Sequence, residues 1–104
     1  MELRRYRTAD GRVPYSEWIQ HLNIAVAGRV SAYVDRMKGG NFGKSEPVGH
    51  GVSELKINLG CGYRVYYIRD GRTIIILLCG GDKSSQQEDI NRALEFAEDY
   101  RRRK

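Results

Sequence analysis

The chain predicts an α+β fold of order β-α-α-β-β-β-α, a small antiparallel-rich sheet with an N-terminal helical hairpin and a C-terminal helix. Three observations carry that expectation. Residues 52–79 hold three strand-like runs joined by glycine turns. Residues 14–37 place apolar side chains at helical spacing. After Gly80-Gly81 the pattern returns to helical spacing as far as the basic end of the chain. At 104 residues the sequence supports one domain, residues 1–104, with enough buried surface for a core without staples.

The elements follow in order. Glu2–Arg7 reads as a short edge strand, and Asp10-Gly11 as a turn. Pro14 suits a first helical position, and Tyr15, Trp18, Ile19 and Leu22 make one stripe behind it. Asn23 is a break and cap. A second helix carries Val26, Val30, Tyr33, Val34 and Met37 inward and ends at Gly39-Gly40. Gly28 within it weakens the helix slightly or lets the two helices approach closely. Trp18 and Tyr33 belong to the packing stripes and are assigned no chemistry. Asn41–Gly51 reads as a glycine-rich connection, with Lys44 and His50 as its polar candidates.

From Val52 to Leu59 the pattern alternates, with Leu55, Ile57 and Leu59 opposed to Glu54, Lys56 and Asn58. Tyr63, Val65 and Tyr67 then alternate with Arg64, Tyr66 and Ile68. A three-residue turn, Gly60-Cys61-Gly62, brings the apolar sets to one face and sets Lys56 opposite Tyr66 and Asn58 opposite Arg64. Asp70-Gly71 predicts a two-residue hairpin turn. That turn places Ile74, Ile76 and Leu78 on the core face and Leu77 beside Arg64, with Thr73–Cys79 a central strand. Lys56, Asn58, Arg64 and Tyr66 then share an open, non-core face, which Lys83 approaches from the strand end. The last helix starts near Ser84-Ser85, with Ser85 and Glu88 spaced as a capping box and Ile90, Ala93, Leu94 and Ala97 inward.

A net charge of +5 and a sequence pI near 9.4 favour a polyanionic partner, nucleic acid or an acidic protein. Cys61 and Cys79 form no disulfide framework. With His21 and His50 they have no metal-ligand spacing, so neither metal nor other cofactor is expected. No apolar run is long enough for a membrane, and a cytoplasmic protein is expected.

Lys and Arg on a sheet face suit metal-free phosphodiester chemistry on RNA, where the ribose 2′-hydroxyl is an internal nucleophile. Arg64 can neutralise charge on the attacked phosphate through its planar fork of donors. Lys83 can hold a second oxygen or the leaving group. Lys56 is a second phosphate contact or a base. Tyr66 can stack on a base or simply cover the sheet. Asn58, Lys44 and Arg102, the last within the basic run Arg101–Lys104, are further substrate contacts. A solvated basic face is the plain alternative for the whole set.

Glu54-Leu55-Lys56, Gly60-x-Gly62-Tyr63-Arg64-Val65-Tyr66-Tyr67, Leu77-Leu78, Gly80-Gly81-Asp82-Lys83-Ser84-Ser85-Gln86 and Asp89-Ile90 with Ala93 resemble the RelE/ParE toxin superfamily. Within it they are most similar to the HigB-like, phage-derived branch called addiction module killer proteins, as are Glu17-Trp18 and Gly40-Asn41-Phe42-Gly43. The resemblance implies a RelE-like fold and a type II toxin acting as a ribosome-dependent mRNA endoribonuclease, or mRNA interferase, that inhibits translation. It implies a cognate antitoxin, usually of helix-turn-helix type, with operator DNA reached only through that partner. Arg64 matches the family's strand arginine, and Lys56 and Lys83 its basic positions. The tyrosine or histidine that some members use near the C-terminus has no counterpart between Lys83 and Tyr100. Gln86, Gln87 and Asp89 stand there instead, with Asp89 read as structural. Two other functions fit the same superfamily: a ParE-like, non-enzymatic inhibitor of DNA gyrase, and a decayed toxin that only binds antitoxin or RNA.

Overall fold

The computed structural model describes residues 1–104. It is an α+β arrangement of three helices on a five-stranded mixed sheet. In chain order the elements are β1 (Glu2–Arg5), α1 (Pro14–Gln20), α2 (Ile24–Arg36), β2 (Lys44–Gly49), β3 (Val52–Ile57), β4 (Tyr63–Asp70), β5 (Ile74–Asp82) and α3 (Gln86–Arg103). The sheet order is β1-β5-β4-β3-β2, with β1 parallel to β5 and every other pairing antiparallel.

The helical hairpin forms as its spacing predicts. Pro14 opens α1, and the Asn23 side chain caps α2 by accepting from Ala25 N at 2.9 Å. A 3₁₀ turn over Met37–Gly39 ends it, with Gly40 in the left-handed region at φ 90°. Tyr15, Val30, Val34 and Met37 pack on Leu55, Ile57, Val65, Tyr67, Ile75 and Leu77. Gly28 faces open space rather than a neighbouring helix.

Six expectations need correction. Part of the connection Asn41–Gly51 is β2, an edge strand paired with β3. Its Pro47 and exposed flanks hide the strand pattern. The β3–β4 turn takes in Asn58–Gly62 rather than three residues, so Lys56 lies opposite Arg64, and Glu54 opposite Tyr66. The face assignment survives because the slip is even.

At the next turn, Gly71-Arg72-Thr73 lies between the paired residues Asp70 and Ile74, one residue longer than expected. That odd slip puts Ile75 and Leu77, not Ile74 and Ile76, on the face of Tyr67. A bulge at Leu78 then shifts the register again, so that Gly81, not Leu77, sits beside Arg64. The second face is not open. There α3 covers Tyr66, Val52, Ile68, Ile76, Leu78 and Cys79 with Ala93 and Ala97. Finally, Ser85 makes no side-chain cap on α3. Its hydroxyl donates instead to Asp89 Oδ2 at 2.6 Å.

Two glycines set how closely the helices approach β5. A Cβ on Gly81 would lie 1.8 Å from Asp89 Oδ2, and one on Gly80 would lie 2.3 Å from the Trp18 ring. Each glycine thus admits a side chain from the helix on its own side of the sheet. Asp89 does not cap α3; its carboxylate packs against Gly81 and accepts from Ser85 Oγ. It is 5% exposed, and burial pushes its carboxyl above the ordinary range. Cys79 is a buried free thiol raised to about 12 by burial, and Cys61 is free and exposed.

Candidate functional site

The strand registers build the site as two rows on the α3 face. Directly paired residues share a face, so Lys44, Lys56, Arg64 and Gly81 form one row across β2, β3, β4 and β5. Glu46, Glu54, Tyr66 and Cys79 form the next. α3 lies over the second row and leaves the first at its lip. Beyond that lip is a cleft of about 430 Å³ lined by Lys56, Asn58, Arg64 and Lys83 together with the glycine turn.

The cations in the cleft differ in how they are held. Lys83 is exposed, and its backbone N donates to Gly62 O at 3.1 Å, which ties the end of β5 to the β3–β4 turn. Lys56 Nζ lies 3.2 Å from Glu46 Oε2. Arg64 is the best-fixed of the three. Its side chain retains 14% exposure, and its Nε lies 3.4 Å from Glu54 Oε1 without hydrogen-bond geometry. That nitrogen is itself buried, so the donors that can face the cleft are the terminal nitrogens of the guanidinium.

Glu54 is the residue that sequence reasoning missed. It is 2% exposed, and its Oε2 accepts from Tyr66 Oη at 3.2 Å and Gln86 Nε2 at 3.0 Å. A buried carboxylate requires such partners. Here they come from β4 and from the first residue of α3, so the helix is fastened where the cleft begins. Burial first, and then the carboxylate itself, push the Tyr66 hydroxyl well above its ordinary range, so it stays a neutral donor. The signal was present in the sequence: Glu54 and Arg64 alternate onto one face that a predicted amphipathic helix had still to cover.

Other candidates lie elsewhere. Tyr66 is fully buried beneath α3 and cannot stack on a base. Lys44 is exposed on the edge strand, in row with Lys56 but outside the cleft. Arg102 belongs to the far end of α3, about 24 Å along the helix axis from Gln86. It lines a separate hollow with His50, Glu95, Glu98 and Arg101. His50 has a left-handed backbone, φ 52°, and its carbonyl accepts from Arg101 at 2.7 Å. Tyr100 bonds Asp70 at 2.7 Å and also lies outside the cleft. No group of three or more His, Cys, Asp or Glu side chains is placed to hold a metal, and no helix is long and apolar enough to cross a membrane.

Residues 17–100 match the family model described as "Phage derived protein Gp49-like (DUF891)". An uncharacterized protein of Haemophilus influenzae is 40% identical over 86 residues, covering 82% of this chain and 87% of the relative. The match runs from the middle of α1 through β5 and most of α3, and so includes all four cleft side chains named above. The chain belongs to the Gp49-like family, a phage-derived family of toxin–antitoxin toxins whose members have a cognate antitoxin as partner.

Proposed function

We propose that the protein is the HigB-like toxin of a type II system, a metal-independent endoribonuclease that cuts mRNA on the ribosome. The observation that carries this reading is Arg64, which lines a cationic cleft beside Lys56 and Lys83 while its Nε is held against the buried Glu54 carboxylate. In the reaction, the 2′-oxygen forms a bond to the adjacent phosphorus and the bond to the 5′-oxygen breaks. The 2′-hydroxyl loses a proton, and the leaving oxygen gains one. Arg64 neutralises the non-bridging oxygens as their charge grows. Lys83 serves the second oxygen or the leaving group, and Lys56 and Asn58 contact the substrate. Glu54, tied to Tyr66 and Gln86, positions Arg64. The antitoxin is of helix-turn-helix type and carries the pair to operator DNA.

The test is primer-extension mapping of a translated mRNA in a bacterial extract. In-frame cuts that need ribosomes are expected. Arg64→Ala should reduce them about a hundredfold, the size of one lost charge-stabilising contact of about 3 kcal/mol, while antitoxin binding persists. Intact mRNA with translation unaffected would overturn the reading and bring forward a gyrase inhibitor or an antitoxin-binding module.

A further inference from the structure

The cationic row does not stop at the cleft. Lys44, on the edge strand, faces the same way as Lys56 and Arg64 and has no ion pair or side-chain hydrogen bond. We infer that Lys44, Lys56 and Arg64 form a phosphate track along which a single-stranded RNA crosses β2, β3 and β4 at right angles to the strands. This deepens the nuclease reading above and rests on it: Arg64 holds the phosphate to be attacked, and the two lysines hold the phosphates that follow toward the sheet edge.

Geometry favours this path. Neighbouring strands are about 4.8 Å apart, so the Cα atoms of Lys44 and Arg64 are separated by about 10 Å. Flexible lysine stems can widen that spacing to match successive phosphates of an extended strand. No further strand stands outside β2, so the track runs out to solvent at the Lys44 end. At the other end Gly81 contributes no side chain, and Lys83 lies beyond it.

The acids nearby are unequally placed. Glu54 is buried under α3, Asp89 is buried between α3 and β5, and Asp82 accepts from the Ser84 backbone and hydroxyl. Glu46 alone is exposed on the row beside the track, with 65% of its side chain accessible while it pairs with Lys56. Glu46 therefore competes with a phosphate for Lys56. The three cations form a graded series: Lys44 is unengaged, Lys56 is exchangeable, and Arg64 is fixed.

The experiment uses the full chain and a labelled single-stranded oligodeoxyribonucleotide, which presents phosphates and cannot be cut for want of a 2′-hydroxyl. Fluorescence anisotropy across a salt series gives the slope of log affinity against log salt. Each phosphate contact on a single strand contributes about 0.7 to that slope. Lys44→Ala and Lys56→Ala should each flatten it by about 0.7, and Glu46→Gln should tighten binding at low salt. Arg29→Ala, an exposed cation on α2, should change nothing. An unaltered slope in Lys44→Ala, or no salt-dependent binding by the unmodified protein, overturns the track. So does a Lys44→Ala variant that loses antitoxin affinity but keeps its slope, which would make the row a protein interface. Failure of ribosome-dependent cleavage with the slopes as expected would remove the nuclease and keep the track. Cleavage with an unaltered Lys44→Ala slope would remove the track alone.

Discussion

The two faces of the sheet are built from the same strands by different means. Under α1 and α2 every inward residue of the central cluster is apolar, from Tyr15 and Met37 to Ile75 and Leu77. Under α3 the helix contributes small residues, Ala93 and Ala97, and the layer contains two buried carboxyls, Glu54 and Asp89. The first face stabilises by area removed from water. The second gives up some of that area for a set of polar contacts that fixes where α3 ends and the cleft begins. Stability and placement of the site are therefore largely assigned to opposite sides of one sheet.

That division can be tested by perturbing each face. The largest effect belongs to the apolar side. Ile75→Ala should cost about 2–5 kcal/mol, read by urea unfolding, while cleavage per folded molecule is unchanged. Equal losses in stability and in cleavage per folded molecule would show that the two sides are not separate. On the α3 side, Gly81→Ala forces a methyl into Asp89 and should cost about 1–3 kcal/mol. Because the displaced helix carries Gln86 away from Glu54, this variant should also weaken cleavage. Full activity would sink the idea that α3 fixes the site.

The smallest effect is a pH dependence. The folded state raises the Asp89 carboxyl by burial, so its contribution is most favourable in acid. That contribution is lost as pH rises from the ordinary carboxylate value through the folded one. Asp89→Asn should therefore gain stability relative to the unmodified protein as pH rises through that window, measured as the difference in Tm. A constant difference would mean that Asp89 is not held in this state. Asp70 has the opposite sign. Lys104 and Tyr100 hold its carboxyl below the ordinary range, and its contribution is lost as pH falls through the lowered value.

Most of the apolar side was legible in the sequence. Helical spacing over 14–37, the Asn23 cap and the alternation of Leu55 with Ile57 each admit one phase. The α3 side was not, for particular reasons. Ile74–Leu78 is apolar on both faces, so period two gives no phase and cannot reveal the Leu78 bulge. The β3–β4 turn has glycines at both 60 and 62, each with positive φ, and these are compatible with a three- or a five-residue loop. β2 contains Pro47 and little apolar content. The grouping of Lys56, Asn58, Arg64 and Lys83 survived these errors because an even slip preserves the face. Tyr66 was misjudged because alternation says which way a side chain points, not what covers it.

The parallel pairing of β1 with β5 has a kinetic consequence. It closes the longest loop of any strand pairing in the sheet, since β1 waits for the fourth strand after it in the chain. Ordering such a loop is entropically unfavourable until most of the intervening chain is in place, and contacts of this range slow folding. α3, which borders the cleft through Gln86, follows every strand of the sheet in chain order. A chain made from its N-terminus therefore holds Lys56 and Arg64 before it holds the helix that sets them.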